Sequence, residues 1–339
     1  MGPMTRGARA DELAVRPVRA GDATALVRCV ERCYGASYPN PAFYDAAALR
    51  SMIESGDHGG AVALDGGVLI GHIAMRPAAR GSSVVEAGTT IVDPAHRGRG
   101  VMGLLAAEIV RQCREHGIDG FVHFPTTAHT VMQRVSIAEG GRETGVLIGY
   151  IPAQTADLAI ERAAAGRLAV TVVYQPISAA PAQTLFVPGR YERLLLTMAA
   201  ELGLERRWVR PGRPAAGPTE IKQSTDGARS LERAAVDQIG ADIAVIAGTL
   251  VALERDLVHV DLPMSDPALD QATEALVAAG FVFGAWLPGW AGHDVLRMQR
   301  VSHELGSDRP TLHSVSAAAI MRMIEADTTA QRSAEAGGY

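Results

Sequence analysis

Ile91-Val-Asp-Pro-Ala-His-Arg97-Gly-Arg-Gly100-Val-Met-Gly-Leu-Leu105 is the stretch on which the fold is read. A β-branched run ends at Val92 and is stopped by Asp93-Pro94. A short glycine-rich loop follows with Arg97, Gly98, Arg99 and Gly100, and an apolar stripe at Val101, Leu105, Ile109 and Cys113 begins at once. Residues four apart share one helix face, so the stripe predicts a helix over 101–116, ended by Gly117. A strand–loop–helix junction of this kind aims the free N–H groups of the first helical turn, and the positive end of the helix dipole, at one point. Glycines let the backbone approach a bulky anion, and the two arginines add positive charge. The chemistry that fits is a phosphate or pyrophosphate. The loop is not a Walker loop, because no Gly-Lys-Ser/Thr follows. Nor is it a dinucleotide fingerprint, because it comes after antiparallel strands rather than inside a βαβ unit.

Upstream, Leu13–Val18 alternates as a strand, and Asp22 is the expected N-cap of a helix running to Tyr34. Cys29 and Cys33 lie on that helix and are expected to be buried thiols. Tyr34, Tyr38, Phe43 and Tyr44 crowd a short irregular segment, either a substrate wall or a loop pinned to the core. A helix over 45–55 is followed by strands at 60–64 and 67–75, joined at Asp65-Gly66 as a hairpin. Ser83–Val92 is the strand that feeds the loop. Downstream come a strand at 121–124, a helix at 130–139 ended by Gly140-Gly141, and a strand at 144–151.

With these elements in place, Val92–Met102 resembles the acetyl-CoA-binding motif Arg/Gln-x-x-Gly-x-Gly/Ala of the GNAT N-acetyltransferase family. The resemblance covers residues 13–152 and departs at the last motif position, where Met102 stands, with Gly103 just after. It implies an α+β, mixed fold with a central, mostly antiparallel sheet flanked by helices. It implies that Arg97, Gly98, Arg99, Gly100, Val101, Met102 and Gly103 hold the pyrophosphate of acetyl-CoA mainly through backbone N–H groups. Ile91 and Val92 would pair with the pantetheine arm, between strands that splay near residues 90 and 123. The acetyl group would pass directly to the amine of a small molecule such as an amino sugar, amino acid or natural product. That step needs a neutral amine and a proton for the leaving thiolate. Glu86 stands where several family members carry a base glutamate. The family's acid tyrosine is replaced by Ser136, and its phenylalanine by Gly141. His129 stands where an asparagine is common, and either His129 or Ser136 would serve the thiolate, or the thiolate would leave without help. Two rival readings stay open: an acyl-CoA-binding sensor without turnover, and a transferase for longer acyl groups.

The second half repeats the pattern weakly. Val258–Phe281 runs as strand, Asp266-Pro267 loop, helix and Gly280-Phe281, and a further strand passes through Trp286-Leu-Pro288. This is similar to the closing section of the same fold and implies a tandem with a degenerate second copy over 168–325. In that reading Leu168–Pro176 opens the copy. Arg229–Ile239 is a helix without the Arg-x-x-Gly loop, and Leu276 fills the tyrosine slot. Asp261, Asp266, Trp286, Trp290, His293 and Asp294 are its polar and aromatic candidates for substrate contact. The expected layout has a loose tail at 1–12, a linker helix at 153–167, a final helix over 302–325 and a loose tail at 326–339. The state expected is a monomer acting as a pseudo-dimer, or a homodimer.

Composition sets the outer bounds. In 339 residues, 47% are hydrophobic and 20% charged, which excludes a mostly disordered chain. Three cysteines exclude a disulfide scaffold. No apolar run reaches the roughly 18 residues of a membrane span, and the start carries no apolar leader, so a cytoplasmic protein with no membrane partner is expected. A net charge of −5 and 5% aromatics weigh against nucleic acid and favour a cationic small molecule. Lys222 is the single lysine among 32 basic residues, a compositional bias except at Arg97 and Arg99. Among the histidines and cysteines, no spacing suggests a metal site.

Overall fold

The computed structural model describes residues 13–38, 40–79, 81–152, 166–210, 212, 217–302 and 310–336. The expected N-terminal tail and nearly all of the expected linker lie outside these. The chain divides into two compact units, and neither is one continuous run. Met1–Arg76 and Ala87–Glu115 belong to the first, and Pro77–Glu86, His116–Thr155 and Arg162–Tyr339 to the second.

In the first unit, β1 (Ala14–Pro17) precedes α1 (Ala23–Tyr34), α2 (Ala46–Ser55), β2 (Gly59–Asp65) and β3 (Val68–Pro77). The later part of β4 (Val84–Val92) and α3 (Val101–Glu115) complete it. β1 and β3 flank β2, both antiparallel to it. Gly66 (φ 55°) and Gly67 (φ 86°) form the two-residue turn between β2 and β3, a conformation that other residues adopt only with strain. Ala23, Leu26, Cys29, Val30 and Cys33 recur at helical spacing on α1. They are fully buried against Phe43, Leu49, Val62 and Ile91, which places both thiols in the core as expected. α2 begins at Asp45, whose carboxylate accepts from the Ala47 and Ala48 amides. Asp22 does not cap α1 through its side chain. It takes a bidentate pair from Arg16 at 2.7 Å and the Arg19 amide instead, because a guanidinium outbids the helix amides.

The second unit takes the start of β4 and adds β5 (Gly120–His123), α4 (Val131–Ala138), β6 (Arg142–Ile151), β7 (Leu168–Pro176), β8 (Gln183–Phe186), α5 (Glu192–Leu202) and β9 (Arg206–Val209). Then follow β10 (Glu220–Asp226), β11 (Leu231–Gln238), α6 (Ile243–Val251), β12 (Leu257–Pro263), α7 (Leu269–Ala278), β13 (Val282–Leu287), β14 (Val295–Val301) and α8 (Val315–Ala336). Its strands lie in the order β4-β5-β7-β6-β13-β14-β12-β11-β10, with β8 and β9 paired apart. Pairing is antiparallel except for β4 with β5, β11 with β12, and β8 with β9.

Three sequence expectations change here. Leu168–Pro176, expected to open a second copy, is β7, inserted between β5 and β6 and antiparallel to both. Arg229–Ile239, expected as a helix, holds strand β11, because it finds β10 on one edge and β12 on the other. The final helix starts at Val315 and runs on to Ala336 through residues expected to be loose. Asp327 anchors it, buried, accepting from Tyr191 Oη at 2.7 Å and from the Phe283 amide. Gln331 adds a bond to the Phe281 carbonyl.

One arrangement occurs twice. β4 and β5 are parallel neighbours, followed by α4 and β6, and β7 slots back between β5 and β6. β11 and β12 are likewise parallel, followed by α7 and β13, and β14 slots back between β12 and β13. A seam joins β6 to β13 through Gly145 opposite Ala285.

Candidate functional site

The glycine-rich loop lies wholly in the first unit. Asp93 accepts from the Ala95 amide at 3.0 Å and from Arg32 Nε at 2.5 Å. Burial raises its pKa, but Arg32 and the amide outweigh that, and the carboxyl stays below its ordinary range. Asp93 thus fixes the point where the strand ends. Beyond it Gly98 (φ 78°) and Gly100 (φ 76°) turn the exposed chain into α3. Arg97 Nε returns to the Val92 carbonyl at 3.1 Å, and Arg99 Nη1 reaches Asp65 at 2.6 Å. The amides of Val101, Met102 and Gly103 have no carbonyl partner within a helix that starts at Val101. No cap is bonded to them among the described residues. α3 itself is held down where Val101 and Leu105 pack over Gly71; a Cβ there would lie 3.2 Å from the Val101 side chain.

Along the same strand Thr89 takes φ 46°, an outlier for a β-branched residue, and Tyr38 Oη donates to its hydroxyl at 2.8 Å. The aromatic segment is pinned rather than loose. Tyr34, Tyr38 and Phe43 follow one another in ring contact at 5.0 and 5.3 Å, and the Tyr38 amide donates to Tyr44 Oη. Beneath them His58 and His72 meet Nε2 to Nε2 at 3.2 Å, while His72 Nδ1 bonds the Ala61 carbonyl. Burial holds them at about 4 and about 3, so both are neutral. The sequence showed no relation between these two, which only the β2–β3 pairing brings together.

Glu86 belongs to the second unit. It is opposite Val122, the last pair between β4 and β5. Ser136 is buried, and its hydroxyl donates to the Met132 carbonyl at 2.7 Å, one turn back in α4. His129 keeps its Nδ1 buried without a partner, and its carbonyl accepts from Gln133. Of the residues read in the second half, Asp266 bonds the Ile239 and Ala268 amides, and Asp294 takes Arg206, Trp286 Nε1 and the Gly289 amide. These contacts hold the fold. Asp261 and Trp290 instead frame Arg297, a residue the sequence reading missed. Arg297 makes a bidentate pair with Asp261 at 2.6 and 2.7 Å and lies 5.2 Å over the Trp290 ring. Burial works against its charge, but Asp261, Tyr150 and Glu86 outweigh burial, so it stays protonated beside the candidate base. The signal available was the alternation of Arg297 and Gln299 with apolar neighbours in β14.

The start of α6, which follows β11 as α3 follows β4, is closed. The Gly240 amide donates to Thr219 Oγ1, the Ala241 amide to the Gly217 carbonyl, and Asp242 accepts from the Thr219 amide and hydroxyl at 2.7 Å. A Cβ on Gly240 would lie 2.3 Å from the Pro218 backbone, so the chain itself fills the space an anion would need. Among the described residues no helix is long and apolar enough to cross a membrane.

A family model described as the acetyltransferase (GNAT) family matches residues 24–138. No curated protein matches the chain. Among solved structures, the ribosomal-protein-S18-alanine N-acetyltransferase of Escherichia coli is 13% identical, covering 50% of this chain and 97% of its own, at a TM-score of 0.40. A GCN5-related N-acetyltransferase from Kribbella flavida is 23% identical over 48% of this chain and 97% of its own, at 0.39. A phosphinothricin acetyltransferase from Sinorhizobium meliloti, solved in complex with acetyl-CoA, is 20% identical over 50% and 90%, at 0.39. With the family match spanning the elements from α1 to α4 and the open loop at its centre, residues 24–138 form an acetyltransferase domain of the GNAT family.

Proposed function

We propose that the chain transfers an acetyl group from acetyl-CoA directly to the amine of a small molecule. The observation that carries this is the exposed loop of Arg97–Gly100, with Gly98 and Gly100 at positive φ and α3 starting directly after it, while the matching position at α6 is filled by Gly217–Thr219. The amides of Gly98–Gly103 would hold the pyrophosphate, with Arg97 and Arg99 flanking, and Ile91 and Val92 would pair with the pantetheine arm. When bound, acetyl-CoA supplies an activated acyl group and a thiolate that leaves. Glu86 would take the proton from the acceptor amine. His129, with Nδ1 unpaired, is freer than Ser136 to donate toward the thiolate. The repeated strand order supports a tandem of two copies, with the second unable to bind CoA and the first closed by β7. A cytoplasmic location and a monomer or homodimer complete the proposal.

Binding without turnover is the second reading, favoured by the committed Ser136 hydroxyl. Calorimetry and CoA release test both. Acetyl-CoA should bind with a Kd under about 0.1 mM, one molecule per chain. Arg97→Ala and Arg99→Ala should each weaken it by about tenfold, equal to about 1.4 kcal/mol. Glu86→Gln should keep that affinity and lower turnover by about a hundredfold or more. No binding ends the transferase reading; binding with no CoA release from any amine in a broad panel leaves the sensor.

A further inference from the structure

We propose that Arg233 and His259 form a recognition site for a carboxylate of the acceptor, so that the acceptor is an amino-acid-like molecule carrying both an amine and a carboxylate. The proposal rests on the acyl-transfer reading for the word acceptor, while the anion site stands on its own geometry.

Parallel and antiparallel registers put Arg233 of β11, His259 of β12 and Gln299 of β14 in one row, with Asp261 and Arg297 in the next. Gln299 spends its amide on the fold. Its oxygen accepts from the Ile148 amide, and its nitrogen donates to the Val146 and Phe283 carbonyls. His259 does not. It is 1% exposed, and neither ring nitrogen has a partner. A buried imidazole with neither nitrogen paired is a standing cost to the fold, and it leaves a polar group available to a ligand. Tyr150 lies parallel to the imidazole, with centroids 6.1 Å apart. Arg229 stands 4.9 Å over the Tyr150 ring, and Arg233 Nη2 donates to Tyr150 Oη at 3.3 Å.

Charge decides the ligand class. Arg297 is matched by Asp261, and Arg229 by Asp226 at 2.7 Å. Arg233 comes no closer than 3.8 Å to Asp226, and its side chain is 29% exposed. Among the described residues around this row, Arg233 is therefore the guanidinium with capacity for an added charge and an opening to solvent, and His259 is its register partner on β12. Burial, Arg297 and Arg233 hold His259 well below its usual value, so it offers one N–H and one lone pair and no charge. One surplus positive charge suits a planar, singly charged carboxylate better than a dianionic phosphate. A zwitterion held so by its carboxylate leaves its ammonium to Glu86 and Asp261, the acidic groups around Arg297.

The test uses the full chain with 15N-labelled histidine. Titration with acetate should move the His259 ring resonances with a Kd of order 1–10 mM. Arg233→Gln should weaken it by at least about tenfold, and Arg233→Lys by less. His259→Gln identifies the resonance, and if that variant does not fold, the Arg233 pair still reads the site. In turnover, amino acids should exceed their decarboxylated amines by at least about tenfold in kcat/KM, and Arg233→Gln should erase the difference through KM. No shift with acetate, tighter binding of inorganic phosphate than of acetate, or a shift indifferent to Arg233→Gln overturns the proposal, as does parity between acids and amines. Acetate binding in a chain that ignores acetyl-CoA refutes the transferase and leaves the anion site intact.

Discussion

At the scale of single residues, the second unit shows which polar groups build and which are left for use. Gln299 is the clearest builder. The β6–β13 ladder has one matched pair, Gly145 with Ala285, and the Gln299 side chain reaches in from β14 to bond three backbone groups that the ladder leaves over. Gln299→Leu keeps the volume and strands all three. At about 1–3 kcal/mol for each buried group left unpaired, the loss should be at least about 3 kcal/mol, read as a drop in urea midpoint at unchanged slope. His259→Gln should do the opposite or nothing, because no partner is lost. A stability loss for His259→Gln as large as that for Gln299→Leu would contradict this division of labour.

Among elements, the same seam depends on close approach. A Cβ on Gly145 would sit 2.3 Å from that of Ala285 and 2.5 Å from the Gly284 carbonyl, so β6 and β13 meet only because Gly145 has no side chain. Gly145→Val should lower stability by about 3 kcal/mol or more, while the same change at Gly227, with open space around it, should be mild. Thermal unfolding of the two variants separates them. The elements were unevenly legible beforehand. The loop from Val92 to Val101 was readable because every signal in it is local: strand end, stop, glycines, stripe. Leu231-Glu-Arg-Ala-Ala-Val has good helix formers, which favour a helix, and in β11 pairing with β10 and β12 overrides that preference. The sequence of β7 predicts a strand that opens a second unit, whereas β7 pairs with β5 and β6, because alternation says that a strand exists and not which edges it joins. Arg297, His259 and Tyr150 come from β14, β12 and β6, and no window of sequence contains them together.

For the whole molecule, buried histidines set the response to acid. Burial holds His58 at about 4 and His72 at about 3 in the first unit, and His123 at about 4 in the second, where His259 is also held well below its ordinary value. Unfolding returns each to the ordinary value near 6.5. Between those limits the unfolded chain binds more protons than the folded one, so stability rises with pH across the window. It is full above about pH 6.5 and declines as pH falls toward the folded values, by at most about 1.4 kcal/mol per pH unit for each histidine. Carboxylates held below their usual range, such as Asp93, add to the loss below about pH 4, while Glu139, which burial holds above its ordinary value, works the other way, so the interval from 6.5 to 4.5 reads the histidines less that one opposing carboxylate. Urea midpoints taken across that interval should fall steadily. His72→Gln removes one titrating group and frees His58 from its neighbour, so the slope, rather than the absolute stability, should flatten. A wild-type profile level between pH 6.5 and 4.5 would mean that these imidazoles take up protons in the folded chain, and the neutral His58–His72 pair would have to be redrawn with a charge in it.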